Sequence, residues 1–415
     1  MRFLFKTDYA QDTRLFPFGG TKRFWTGLAL YAAILVALAH YAPLALTSTH
    51  WLGVAVAYAI VFGTVLLRQN ADGEGGHAAF WYGLLGVAAL SAPFVLDLYF
   101  LSQVTFVYVY VIAGVGLILL LGMCGQISLG HAAFMACGAY TAGILQAQGF
   151  DLLVTLPAAI LLSAALGVVI GLPALRMTGI YLAFATYAFA FIVEEVLARW
   201  DSLTGGNMGF VLSDPSILGY SFDSEQKMYY LALVLFTLTL LAGLNIRRSS
   251  TGRAFMAIRD SETAAEAMGV NLAVYKTTAF AISAGMAGLA GAVYAHLLFF
   301  ISPEGFTILL SINLLVMAVI GGLASMHGAI FGAAFIVVLP QLISLTKDSL
   351  PQAVGQLPGL ESGIFGLVII LFVILEPMGF HGRWMKIKTY FQLFPLYKKG
   401  TFRRQKSYMV SEKNR

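Results

Sequence analysis

The chain has 415 residues, of which 59% are hydrophobic and only 11% are charged, against roughly 25% charged in an ordinary soluble domain. That balance excludes a soluble globular protein. The net charge of +5 is scattered over separated segments, which excludes a nucleic-acid binder with one basic face.

Window after window reaches the roughly 20 apolar residues that a bilayer crossing needs, so the fold class is an all-α, polytopic helical membrane protein. The first apolar run begins near Phe24, behind Arg2, Lys6, Arg14, Lys22 and Arg23. No small-x-small cleavage site closes a short apolar core there, so the run reads as an anchor rather than a cleaved signal. Predicted spans follow at 24–46, 51–67, 79–97, 100–121, 131–149, 153–172, 179–198, 228–245, 272–300, 308–320, 328–345 and 362–378. The runs at 51–67 and 308–320 are short, so the expected number of transmembrane helices is about 10–12.

Charge orients these spans. Of the 25 Lys and Arg, five precede residue 24, five lie from Arg247 to Lys276 and ten follow Phe380. Basic loops mark the cytoplasmic side, and twelve crossings place all three segments there, with both termini cytoplasmic. The stretch 200–226, with Asp201, Asp214, Asp223 and Glu225 and neither Lys nor Arg, then falls outside, as does 346–359. Asp97, Glu304 and Glu361 are expected at outer helix ends, and Glu195 with Arg199 reads as a helix-end charge pair.

Few residues invite chemistry. Cys124 and Cys137 have neither CxxC spacing nor ligand-spaced neighbours and read as small packing residues. No metal or cofactor is expected. The chain has no GxxxxGK[ST] phosphate cradle and no HExxH, so any ATP energy must come from another chain.

Two turns echo each other. Gly125, His131 and Ala133 align with Gly321, His327 and Ala329 at a constant offset of 196, which points to a parallel internal repeat of the kind transporters use. Both histidines sit beside glycines, where a neutral imidazole can satisfy the backbone of a broken helix; that structural role is preferred over proton relay or metal binding. The predicted span 272–300 carries Gly285, Gly288 and Gly291, a small-residue stripe for close helix contact. Contact within the subunit and contact with a second subunit both fit it.

Between spans, 247–271 reads as two short helices with a break near Asp260. Asp260 or Ser261 can cap the second, Glu262 suits its first turn and Gly269 its end. Phe255 and Ile258 are three apart, and Ala264, Ala265 and Met268 share a face, among charges. A connector lying on the membrane and an element docking on a partner both fit this pattern.

The run from Arg253 to Gly269 resembles the signature cytoplasmic loop of the branched-chain amino acid ABC permeases of the LivM type. The resemblance extends to Gly125–Phe134 with Gly138-Ala139-Tyr140, to Thr178–Ala183, to Leu203-Thr204-Gly205-Gly206, and to Val319–Gly328. It covers about residues 100–380, and five such blocks in order are a specific signal. It implies a coupling loop at 247–271 that docks on an ATPase, with Arg253, Phe255, Ile258, Arg259, Asp260, Glu262, Ala265, Glu266, Met268 and Gly269 as coupling residues. Pathway or helix-break candidates are Gly125, Gln126, Ser128, His131, Thr204, Gly205, Gly206, Gly321, Gly322 and His327.

The implied partners are a second permease subunit of the LivH type, two ATP-binding cassette subunits, a periplasmic substrate-binding protein and membrane lipid, with no nucleic acid. The implied location is the bacterial inner (plasma) membrane, and the implied cargo is branched-chain amino acids or similar small carboxylates. Urea, amide or aromatic-acid permeases of the same superfamily remain alternatives, as does, from another class, an ion-coupled secondary transporter. Where the family usually continues with a Ser-Asp-Gly-like stretch, this chain has Asn207-Met208-Gly209. Residues 1–99, a leader with additional spans, and the basic tail 381–415 lie outside the shared core.

Overall fold

The computed structural model describes residue 86 and residues 89–94, 96–177, 179–323, 325–348, 359–376 and 379–393. The predicted spans at 24–46 and 51–67, most of 79–97, and the end of the basic tail lie outside the described residues. The remaining nine predicted spans each meet a helix: α1 (Leu98–Leu117), α2 (His131–Ala147), α3 (Leu152–Gly171), α4 (Ile180–Arg199), α5 (Glu225–Arg248), and then, beyond the connector, α8 (Leu272–Leu298), α9 (Ile308–Gly321), α10 (Met326–Asp348) and α11 (Leu360–Leu375). The connector holds α6 (Ser250–Asp260) and α7 (Glu262–Ala267), and α12 (Gly379–Leu393) follows the last span.

Among the described residues, seven helical segments are long and apolar enough to cross a bilayer. A 3-10 turn at Pro303–Phe306 lengthens the short span at α9 to 19 residues. The helix α2 has 17 residues, a rise of about 26 Å, short of the roughly 30 Å hydrocarbon thickness.

At the centre stands α8, packed against α1, α2 and α3. Its glycine stripe faces inward: Gly288 lies against Ala159 and Ser163 of α3 and the Gly138 backbone of α2, and Gly291 against the Met135 backbone. A Cβ at Gly138 would run into the Gly288 carbonyl. Of the two readings of this stripe, contact within the subunit is therefore the one realised. The outer faces of α3, α4 and α11 are apolar, with Leu161, Ile180 and Ile374 exposed, as expected of surfaces facing lipid or another apolar subunit.

Connectivity sorts the loops to two ends. One is basic, with Arg247, Arg248, α6, α7 and the start of α12. At the other, β1 (Phe210–Val211) pairs antiparallel with β4 (Phe300–Ile301), and β2 (Ser216–Ile217) with β3 (Tyr220–Ser221). Glu304 and the first turn of α11, with Glu361, lie at this second end. The expected Glu195–Arg199 ion pair forms, and it is exposed.

Candidate functional site

The helix α1 does not end cleanly. A π-helical turn, Ile118–Met123, widens its last coil, Gly125 takes φ +74°, and regular structure resumes only at His131. Irregular backbone at membrane depth needs partners from the protein itself, and here they come from three other helices. The Leu129 N–H donates to Thr186 Oγ1 of α4 (2.9 Å) and the Ala132 N–H to Ser311 Oγ of α9 (2.9 Å). Arg259 of α6 donates from Nη1 to the Gly122 carbonyl (2.9 Å). Gly125 is favoured because its φ is left-handed, and a Cβ there would also press on Arg259, 3.0 Å from its Cγ.

His131, fully buried, lies between Ser128 Oγ (3.2 Å from Nδ1) and Ser283 Oγ of α8 (2.8 Å from Nε2). Two hydroxyl partners suit a neutral imidazole, one nitrogen donating and the other accepting. Gln126 is buried as well; its amide nitrogen reaches the Cys124 carbonyl (3.4 Å), while its Oε1 has no partner.

A second break separates α9 from α10. Gly322 takes φ +106°, and Ser325 Oγ accepts from the His327 N–H (3.3 Å). At Gly321 a Cβ would meet the Gly328 carbonyl, so the two helices touch backbone to backbone. Like the first break, this one receives a helix running toward the basic end and returns one away from it, as a parallel repeat requires. The two histidines differ, however: His327 is part-exposed near Arg247, Arg248 and His381. Burial, followed by the charge of Arg247, holds the His381 imidazole below its usual range. The breaks themselves meet, with the Leu323 carbonyl against Gly122 so closely that no Cβ fits.

The connector is built from successive caps. Ser249 accepts from Gly252 N–H (3.3 Å), Ser261 from Ala264 N–H (3.3 Å) and Asn271 from Val274 N–H (3.2 Å), starting α6, α7 and α8. The cap of α7 is thus Ser261, not Asp260. Gly269 takes φ +84°, reversing the chain after α7.

The ten predicted coupling residues do not share one face. Phe255, Ile258 and Ala265 are buried in the chain's own body, on the internal side of α6 and α7. Arg253, Asp260, Glu266, Met268 and Gly269 are exposed. Arg259 and Glu262 bridge, the first to Gly122, the second by an ion pair with Lys276 of α8 (2.7 Å).

The pathway candidates also divide. Gly125, Gln126, Ser128, His131, Gly321, Gly322 and His327 gather at the breaks, whereas Thr204, Gly205 and Gly206 lie at the opposite end. There the buried Thr204 hydroxyl reaches the Leu197 and Trp200 carbonyls (2.7 and 2.8 Å) and accepts from the Gly206 N–H (3.2 Å). Gly206 has a left-handed φ of +58°, which strains any other side chain, and it lies beside the Asp201 carboxylate.

Sequence reasoning missed Lys276, Thr186, Ser283 and Ser311. Only Lys276 left a signal, as a lone cation inside a predicted span. Among the described residues no group of three His, Cys, Asp or Glu side chains could hold a metal ion.

Comparison with known proteins bears on this arrangement. Residues 99–373 match the family described as branched-chain amino acid transport system / permease component. Over 344 residues the chain is 31% identical to the high-affinity branched-chain amino acid transport system permease protein LivM of Salmonella typhimurium, covering 77% of this chain and 78% of that protein. LivM of Escherichia coli matches with the same identity and coverage. The permease protein BraD of Pseudomonas aeruginosa is 28% identical over 298 residues, 66% of this chain and 92% of BraD. No solved structure matches. A broken-helix bundle of this length, matched over most of its span, belongs to the branched-chain amino acid transport system permease family.

Proposed function

We propose that this permease is one half of the translocation pathway of an ATP-driven importer for branched-chain amino acids or similar small carboxylates. It works in the bacterial inner membrane with both termini in the cytoplasm. The observation that carries the reading is the two-sided connector. Its inner side is buried and tied to the first helix break, and its outer side presents Arg253, Asp260, Glu266 and Met268. An open cleft of about 510 Å³ adjoins it, between Leu175 and the corner from Glu266 to Ala273. Short amphipathic helices of this kind dock in a partner's groove, and the partner here is an ATP-binding cassette subunit.

In this reading a second permease subunit completes the pathway, two ATPase subunits close beneath the basic end, and a periplasmic binding protein delivers substrate at the end shaped by Thr204, Gly205 and Gly206. Residues 100–380 form the transport core, with the coupling loop at 247–271; 1–99 and 381–415 are additions to it. The names of the relatives supply the substrate class. The test is uptake of radiolabelled leucine into proteoliposomes holding the whole complex. Uptake is expected to need ATP inside and to stop when the ATPase subunits lose hydrolysis. Undiminished uptake without them, driven by an ion gradient, rejects the importer.

A further inference from the structure

Lys276 occupies the fifth position of α8 and is 1% exposed. Lysine is almost never fully buried unless paired, and its partner is the Glu262 carboxylate at 2.7 Å, itself 34% exposed. Glu262 opens α7, a helix of six residues that buries only Ala265. So short a helix has little apolar contact to hold it in place. Across the bend at Ser261, Arg259 holds the end of α6 to the Gly122 carbonyl. The connector is therefore gripped on both sides of its bend, once to the central helix α8 and once to the end of α1.

Stability alone does not call for the lysine. Removing one partner of a buried ion pair is strongly destabilising, but replacing the pair by apolar residues is often neutral. What a buried pair can add is registry, fixing which turn of one helix meets which turn of another.

We propose that Lys276 is a positioning residue for transport coupling: through Glu262 it ties α7 to α8, so that displacement of the docked connector moves the central helix instead of bending the chain at Ser261. The proposal rests on the reading of α6 and α7 as the ATPase-docking element.

The experiment uses the complete complex in proteoliposomes and reads two quantities, ATPase subunits retained through gel filtration and leucine taken up per ATP hydrolysed. Glu262→Gln keeps a hydrogen-bond acceptor at a part-exposed site but removes the charge; Lys276→Met keeps the volume. Both are expected to retain the ATPase subunits while uptake per ATP falls about tenfold, and the exchange Glu262→Lys with Lys276→Glu is expected to recover most of that loss. Normal uptake per ATP in the single variants overturns the proposal, as does an exchange that recovers nothing. Loss of the ATPase subunits from Lys276→Met, which leaves no buried charge unpaired, also overturns it, since the pair would then serve assembly. A wild-type complex that holds no ATPase subunits sinks the docking reading itself, which separates the two failures.

Discussion

The imidazole of His131 shows how a single buried side chain can be assigned by its partners. A proton carrier needs a route to water or to another titratable group, yet this ring is fully buried and its neighbours are two serine hydroxyls. His131→Leu would leave both Ser128 and Ser283 without that partner in a dry interior, at a cost of about 1–3 kcal/mol. The expected result is a lowered thermal midpoint in detergent, partly recovered by His131→Gln, with uptake falling only as far as folded protein falls. An unchanged midpoint with abolished uptake would instead make the ring a chemical participant.

At the scale of elements, the connector divides its labour by helix face, and the division can be measured. Phe255 is fully buried, so Phe255→Ala should cost about 3–5 kcal/mol and reduce the yield of folded protein. Met268 is 78% exposed, so Met268→Asp should leave the folding stability within about 0.5 kcal/mol of wild type yet weaken retention of ATPase subunits. Equal effects of the two substitutions on folding would remove the two-faced description.

The caps and bend of this connector were legible in the chain, because Ser, Glu and Gly at helix ends act through local backbone geometry. Which face turned inward was not. Ala264, Ala265 and Met268 look alike to a periodicity argument, and only packing into the chain's core selects Ala265 for burial. The same limit explains Thr186, Ser283 and Ser311. Each lies on a different helix from the backbone or ring it serves, at separations of 57, 152 and 179 residues, and one hydroxyl in an apolar helix carries no mark of its partner. Helix positions, by contrast, followed from apolar run length, which is set by the bilayer rather than by tertiary contact.

For the whole molecule, the two ends make opposite demands on the membrane. The end with Arg247, Arg248, Arg253 and Arg259 carries the excess of positive charge that marks a cytoplasmic face, whereas at the end with Asp201, Asp214 and Asp223 the cations Arg199 and Lys227 are each paired with a carboxylate. A single helix, α5, separates them, and its 24 residues rise about 36 Å, more than the hydrocarbon thickness. The loop before α5 and the connector after it must therefore open to opposite sides. Met208 and Met268 are 90% and 78% exposed and report on these two regions. In a background carrying Cys124→Ala and Cys137→Ala, Met208→Cys should react with a membrane-impermeant maleimide added to intact spheroplasts. Met268→Cys should react only after the membrane is opened. Labelling of both from the same side would mean that α5 does not cross, and the positions of every later helix, including the connector proposed to dock on an ATPase, would have to be inverted with it.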